Sequence, residues 1–360
     1  MALVPKNIKS LVPYKAGRPL EDVVREFGLE RVVKLASNEN PWGPSPLALD
    51  AARDSLVGVH RYPDPASRKL REELIARFKV RDENVITGNG SESIMAAIMR
   101  TFLLSGDEVL SAKDTFIGFR VLANACGRTL HWVPMKEYRY DLEAMGEAIN
   151  EYTKVIYIAN PDNPTGSYVT VDEFDAFMTK VPPRVLVILD EAYFEFARHL
   201  PDYPDSMHYR YDNVITLRTF SKAHGLAGLR AGYGFAHHEL IENLNKVRLP
   251  FEPSVPAQAA ALAALHDEEH LKKTIENNTE GMRMLRAGLE GLGIRTLPSA
   301  ANFLSLEFED EKRAATLSDE LQRRGVIVRY LDWFGWPTMI RVTVGLPEEN
   351  EFFLETISKL

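Results

Sequence analysis

The chain has 360 residues, 45% of them hydrophobic and 26% charged, which is enough for a large core and two domains. A formal charge of −8 argues against a generic nucleic-acid or anionic-membrane surface. The single cysteine, Cys126, can close no internal disulfide and build no cysteine metal site, which fits a reducing compartment.

Residues 1–9 lack the apolar core of a secretory signal, and no apolar run nears the ~18 residues that span a bilayer. A cytoplasmic protein is expected, with no metal and no membrane or nucleic-acid partner. Residues 1–35 read as an arm with a short helix. Residues 36–46 are so dense in Asn, Pro and Gly that regular structure is forbidden. From about 68 the pattern alternates: helix 67–79, strand 84–87, apolar helix 92–104, strand 108–111, helix 117–126 and strand 129–134. Further strands fall at 154–159, 185–189, 214–217 and 232–235. Several are short, β-branched and apolar throughout, as strands buried on both faces are. Strands alternating with helices predict an α/β fold with a mostly parallel, helix-covered sheet.

Beyond about 246 the rhythm changes. An Ala-rich helical stretch, 255–270, leads into a second, 271–292, and short strands follow at 302–307, 326–329 and 339–344. This predicts a large domain over 36–245 and a smaller α+β domain over 246–360, with the arm 1–35 packing on the latter.

Four polar islands sit at predicted strand ends, where open α/β sheets bind ligands. The first, Thr87-Gly88-Asn89-Gly90-Ser91-Glu92, lies between a strand and a helix, so glycines and the free N–H groups of the helix start could cradle a phosphate. It also reads as a plain turn with a Ser cap. The second, Asn160-Pro161-Asp162-Asn163-Pro164-Thr165-Gly166, has turn composition, yet its two prolines would hold the Asn163 amide rigidly. The third ends an apolar strand in Asp190-Glu191-Ala192-Tyr193, where an acid needs a cation or several hydrogen bonds unless it is a helix cap. The fourth runs from Thr219 through Ser221 and Lys222 to Arg230; Lys222 stands among small residues that leave room for a flat ligand, or else in an exposed loop. A phosphate cradle, an amide, an acid, a phenol and a lysine form the set that pyridoxal phosphate (PLP) requires: lysine for its aldehyde, acid for its ring nitrogen.

The order Asn-Pro-x-Asn-Pro-Thr-Gly, Asp-Glu-Ala-Tyr, Ser-Lys-x-x-Gly-Leu-Ala-Gly-Leu-Arg resembles the aspartate-aminotransferase superfamily of PLP enzymes. Within it, residues 12–17, 34–41, 60–64 and 341–345 resemble histidinol-phosphate aminotransferases, and the likeness spans essentially the whole chain. The resemblance implies fold type I, with a seven-stranded-type sheet in the large domain. It implies a homodimer with shared active sites and transamination of histidinol phosphate with 2-oxoglutarate, a step of histidine biosynthesis. It makes Lys222 the covalent anchor and proton carrier, Asp190 the partner of the ring nitrogen, and Asn163 and Tyr193 the partners of the ring hydroxyl. The backbone of Ser91 and Glu92, with Thr219, Ser221 and Arg230, would hold the phosphate, and Tyr62 would reach the partner subunit's cofactor. Arg341 and Arg329 would grip substrate anions, beside Tyr14 and Asn38.

Two stretches depart from the pattern. Where the family has a stacking tyrosine, this chain has Asp114-Thr115-Phe116, so stacking falls to Phe116; and residues 250–256 lack an expected Asn. Cys126 reads as a small core residue and His224 as a loop histidine. Trp333 and Trp336 either line the substrate pocket or pack the small domain. His199, His208, His237 and His238 show no metal-ligand spacing. Aromatic amino-acid aminotransferases and a threonine-phosphate decarboxylase share this architecture, so the donor stays open. A non-catalytic PLP-fold regulator would need an added DNA-binding domain, and a nucleotide-binding protein using residues 88–90 would leave Asn163, Asp190 and Lys222 without a role.

Overall fold

The computed structural model describes residues 3–12, 19–205 and 211–360. Its strands are β1 (Val33–Lys34), β2 (Val85–Gly88), β3 (Glu108–Ala112), β4 (Thr129–Val133), β5 (Thr153–Ala159), β6 (Leu186–Asp190), β7 (Val214–Thr219), β8 (Gly232–Phe235), β9 (Arg295–Thr296), β10 (Phe303–Glu307), β11 (Val326–Ile327), β12 (Arg329–Tyr330) and β13 (Met339–Thr343). Seven of them form one sheet in the order β2-β8-β7-β6-β5-β3-β4. Only β8 runs against its neighbours.

The central strands are apolar throughout because both faces are covered. On β5 and β6, Val155, Tyr157, Ala159, Leu186 and Ile188 face one core, under the helices Gly90–Phe102 and Ile117–Ala125. Ile156, Ile158, Val187 and Leu189 face the opposite core with Phe174 and Phe177 of the helix Val171–Met178. Strand pleating sends alternate residues to opposite faces, so Asp190, at even spacing from Leu186 and Ile188, lies on the Tyr157 face.

The second core gathers Leu285, Leu304, Leu317, Ile340, Val342 and Phe353 around β10 and β13. The arm joins it: β1 pairs in parallel with β11, and Val23 of the helix Leu20–Phe27 packs on Ile327.

The structure shifts some expected elements. The predicted helices 255–270 and 271–292 break earlier, giving Val255–His266 and Glu268–Gly291, because the Asp267 side chain accepts from the His270 N–H and caps the second. The helix Val255–His266 shares an apolar cluster with Ala48, Leu70, Phe220 and Phe235, so it lies on the large sheet's side of the molecule. The predicted strand 326–329 is two strands in different sheets, β11 beside the arm and β12 beside β13. Further helices include Pro46–Ser55, Arg68–Phe78, His238–Val247, Glu311–Arg323 and Pro347–Ile357. Among the described residues, no helix is long and apolar enough to cross a membrane.

Candidate active site

Strands β5, β6 and β7 end side by side, and a cavity of about 140 Å³ opens at their C-terminal ends. It brings together Ser91, Glu92, Phe116, Asn163, Asp190, Tyr193, Thr219, Ser221, Lys222 and Arg230. All four islands of the sequence therefore meet in one place: three end the adjacent parallel strands β5, β6 and β7, and the remaining one follows β2, which runs the same way across the intervening β8.

Asp190 is the last residue of β6 and is buried. Tyr157 donates its hydroxyl to Oδ2 at 2.9 Å, while Oδ1 is buried with no hydrogen-bond partner. Burial pushes the carboxyl up to about 6, against the pull of the Tyr157 hydroxyl, because a carboxylate out of water lacks solvation. Lys222 follows β7, and its Nζ donates to the Ser37 carbonyl at 3.2 Å. Burial, then the Arg341 cation, pushes its amine down to about 8, with Glu39 opposing.

At the other end of the cavity the helix Gly90–Phe102 presents its N-terminus. Gly232 makes this approach possible: a Cβ there would stand 2.5 Å from the Gly90 carbonyl carbon and the Ser91 nitrogen. Thr219 Oγ1 donates to Ser221 Oγ at 2.9 Å, and Arg230 Nη1 donates to the same oxygen at 3.3 Å. Arg230 Nη2 stands 4.0 Å from Glu92 Oε2. Hydroxyls, a guanidinium and a helix N-terminus at one point suit an anion.

Asn163 and Tyr193 line the middle. Asn163 Oδ1 accepts from Arg341 Nη1, whose Nη2 donates to the Ala36 carbonyl at 2.8 Å. Burial pushes the Tyr193 hydroxyl up to about 12, and it accepts from Asn38 Nδ2 at 2.8 Å. Asn38, expected on the substrate side, is a buried joint. Its N–H donates to Thr343 Oγ1 and its Oδ1 accepts from that hydroxyl, both at 3.0 Å, while its carbonyl accepts from Asn302 Nδ2 at 3.1 Å.

Arg329 and Arg341 sit directly opposite each other on β12 and β13, hence on one face of the small sheet. Their guanidinium carbons lie 5.7 and 5.6 Å from the centre of the Phe334 ring. Tyr62 is not in the cavity; it is 79% exposed and stacked on Phe251 at 4.2 Å. Tyr14 and His208 lie outside the described residues. His224 points away from the cavity, with Nε2 3.5 Å from Glu195 Oε1. Trp333 and Trp336 pack with Ile117, Leu331 and Phe334, and Trp336 Nε1 donates to the Asp114 carbonyl at 2.9 Å. Cys126 packs partly buried on the large-domain core.

Sequence reasoning missed Tyr157, an inward residue of an apolar strand that resembles any core aromatic. Its even spacing from Ala159, the residue paired with Asp190, becomes a signal only once the strand register is known.

Taken together, the cavity offers an anion cradle at one end, a carboxylate lacking a counter-cation at the other, and a neutral-prone amine between. A flat, dipolar, electrophilic molecule meets all three.

The chain is 43% identical over 357 residues to histidinol-phosphate aminotransferase 2 of Carboxydothermus hydrogenoformans, covering 99% of this chain and 98% of that protein. It is 44% identical over 363 residues to the histidinol-phosphate aminotransferase of Anaeromyxobacter, covering 100% and 99%. Among solved structures, histidinol-phosphate aminotransferase from Sinorhizobium meliloti in complex with pyridoxal-5'-phosphate superposes with a TM-score of 0.91 at 28% identity, over 100% of this chain and 97% of that one. Thermus thermophilus aspartate aminotransferase has the same fold, with a TM-score of 0.85 at 22% identity over 100% of each chain. Residues 30–357, which hold every strand and all the cavity residues, match one family along their whole length, and the chain belongs to it: aminotransferase class I and II.

Proposed function

We propose that the chain is a PLP-dependent aminotransferase that moves the amino group of histidinol phosphate to 2-oxoglutarate, in histidine biosynthesis. The observation that carries this reading is the buried, partnerless Oδ1 of Asp190 in the same cavity as Lys222 and an anion cradle. A protonated pyridine nitrogen is the cation Oδ1 lacks, a phosphate fits the Ser91–Arg230 end, and an aldehyde suits the Lys222 amine. Family membership and the names of the relatives support the same reading.

When bound, PLP supplies a carbon that takes up an amine and a ring that withdraws electrons from the bond to be broken. Lys222 would anchor the cofactor through its amine and would move a proton between the donor's Cα and the cofactor's C4′. Asp190 holds the proton on the ring nitrogen. Asn163 and Tyr193 hold the ring oxygen, and Phe116 covers the ring face. Ser91, Glu92, Thr219, Ser221 and Arg230 fix the phosphate.

The donor has a phosphate and no carboxylate, whereas glutamate has two carboxylates. Arg329 and Arg341, side by side, can meet both, because a guanidinium fork matches carboxylate and phosphate oxygens alike. We assign Tyr14 a substrate-binding role on the strength of the resemblance, and Asn38 braces Tyr193 through its side-chain amide. We place Tyr62 at the partner subunit's cofactor, in a cytoplasmic homodimer with shared sites; its exposure, with Leu56, Val57, Val59 and Leu249 also exposed, supports the dimer. We also divide the chain into an arm (1–35), a large domain (36–245) and a small domain (246–360), with the helix Val255–His266 lying on the large one.

The test is a half-reaction screen. The PLP-loaded protein is mixed with histidinol phosphate, phenylalanine, tyrosine, aspartate and threonine phosphate, and loss of the visible band of the lysine-bound cofactor is timed. Histidinol phosphate should react with the highest kcat/KM. A higher value for phenylalanine or tyrosine would move the protein to the aromatic aminotransferases, for which Phe334 between the two arginines would supply the contact surface.

A further inference from the structure

Asp190 has two carboxylate oxygens with different fates. Oδ2 accepts the Tyr157 hydroxyl at 2.9 Å; Oδ1 has no partner. Tyr157 is fully buried in the middle of β5, and its ring is stacked on Phe119 with centroids 3.9 Å apart and planes at 7°. That stack fixes the phenol's direction, and the strand register fixes its distance from Asp190. A carboxylate bonded through one oxygen cannot turn freely, so Oδ1 keeps its heading.

We infer that Tyr157 is a positioning residue for the transamination chemistry: it holds Asp190 ionised and aims Oδ1 at the ring nitrogen of the cofactor. The inference rests on the cofactor reading above. A hydrogen bond donated to a carboxylate favours its charged form, whereas burial disfavours it, and Tyr157 is the strongest of the contacts that oppose burial at Asp190. Without the hydroxyl, Asp190 would take up a proton more readily and lose the charge that makes it a partner for a pyridinium. Phe119 stacks on the ring and not on the hydroxyl, so the change Tyr157→Phe removes one oxygen and keeps the stack.

The experiment compares two ligands on the apo protein, PLP and an analogue with carbon in place of the ring nitrogen. Dissociation constants are measured by absorbance for wild type and Tyr157→Phe. The variant should bind PLP roughly tenfold or more weakly, the scale of a lost hydrogen bond to a charged group. Its affinity for the analogue should stay within about twofold of wild type, because that ligand has no nitrogen for Asp190 to reach. An equal loss for both ligands, or no loss for either, would overturn the inference by making Tyr157 a packing residue only. The cycle with Asp190→Asn is a second measure: in that background Tyr157→Phe should no longer affect PLP affinity, and a persisting tenfold effect would also overturn it. Wild-type protein that failed to bind either ligand would instead overturn the cofactor reading, so the two failures are distinguishable.

Discussion

The Lys222 amine is lowered from its ordinary 10.5 to about 8, chiefly by burial and then by Arg341. Only the neutral amine attacks an aldehyde. At pH 7 the lowering multiplies the neutral fraction roughly 300-fold, which corresponds to about 3 kcal/mol. The rate at which apo protein captures PLP should therefore climb about tenfold per pH unit up to pH 8 and level off above it. Stopped-flow absorbance reads this directly, and dividing by the rate for Nα-acetyl-lysine removes the aldehyde's own pH dependence. The ratio should be flat below pH 8 and fall about tenfold per unit from there toward pH 10, where only the free amine is still gaining neutral form. Arg341→Met, which deletes the nearest depressing cation, should push the break to higher pH. A ratio that stayed flat to pH 10 would show an ordinary lysine and refute the argument.

Asp190→Ala should cut turnover by several orders of magnitude and weaken PLP binding, with Asp190→Glu retaining more activity; steady-state kinetics within tenfold of wild type would refute the electron-sink role. Mixing Tyr62→Phe with Lys222→Ala subunits should restore activity above either parent, because one site of the mixed dimer carries neither lesion; proven subunit exchange without rescue would mean self-contained sites. Histidinol should react about 100-fold or more slowly than histidinol phosphate, since losing the charge-assisted contacts of the phosphate costs on the order of 3 kcal/mol, and Arg329→Ala or Arg341→Ala should narrow that gap in kcat/KM. Arg218 is fully buried, bonded to Glu191 and Asp205 and lying 3.2 Å over the Phe194 ring. Arg218→Met should destabilise the fold by about 3–5 kcal/mol at pH 8. Burial already raises Glu191 to about 7 from 4.5, so the folded chain binds the extra proton and the variant should regain stability as pH falls toward 5, visible as a smaller Tm deficit.

The motif-bearing positions were legible because each sits where a run of apolar residues stops. Asp190 and Lys222 follow β6 and β7, and adjacent parallel strands bring such ends together whatever the loops do. Tyr157 was illegible because its partner is on another strand: a hydroxyl among apolar neighbours declares a role only once the register is known. The role of Asn38 was hidden for a similar reason, since Thr343 and Asn302 lie 305 and 264 residues away in sequence. The break at Asp267 was missed because the helix-compatible residues Glu268, Glu269 and His270 follow it without a Gly or Pro, and one side-chain cap ends what composition does not. The strand 326–329 looked single since its residues stay extended, yet Val328 stands between two different sheets.

Asn38 ties the end of β13 to the hydroxyl of Tyr193, and so acts as a pivot between the small sheet and the cofactor floor. Arg341 is two residues from Thr343 on the same strand, about 7 Å by strand rise. The loop holding Trp333 and Trp336 lies beyond the other end of β13, a longer lever. Tilting the small sheet by about 5° would move Arg341 roughly 0.6 Å and displace the tryptophan-bearing loop further, by simple proportion to that rise. A tilt of the small sheet is thus felt least at Arg341, beside the cofactor floor, and most at the loop that packs on Ile117.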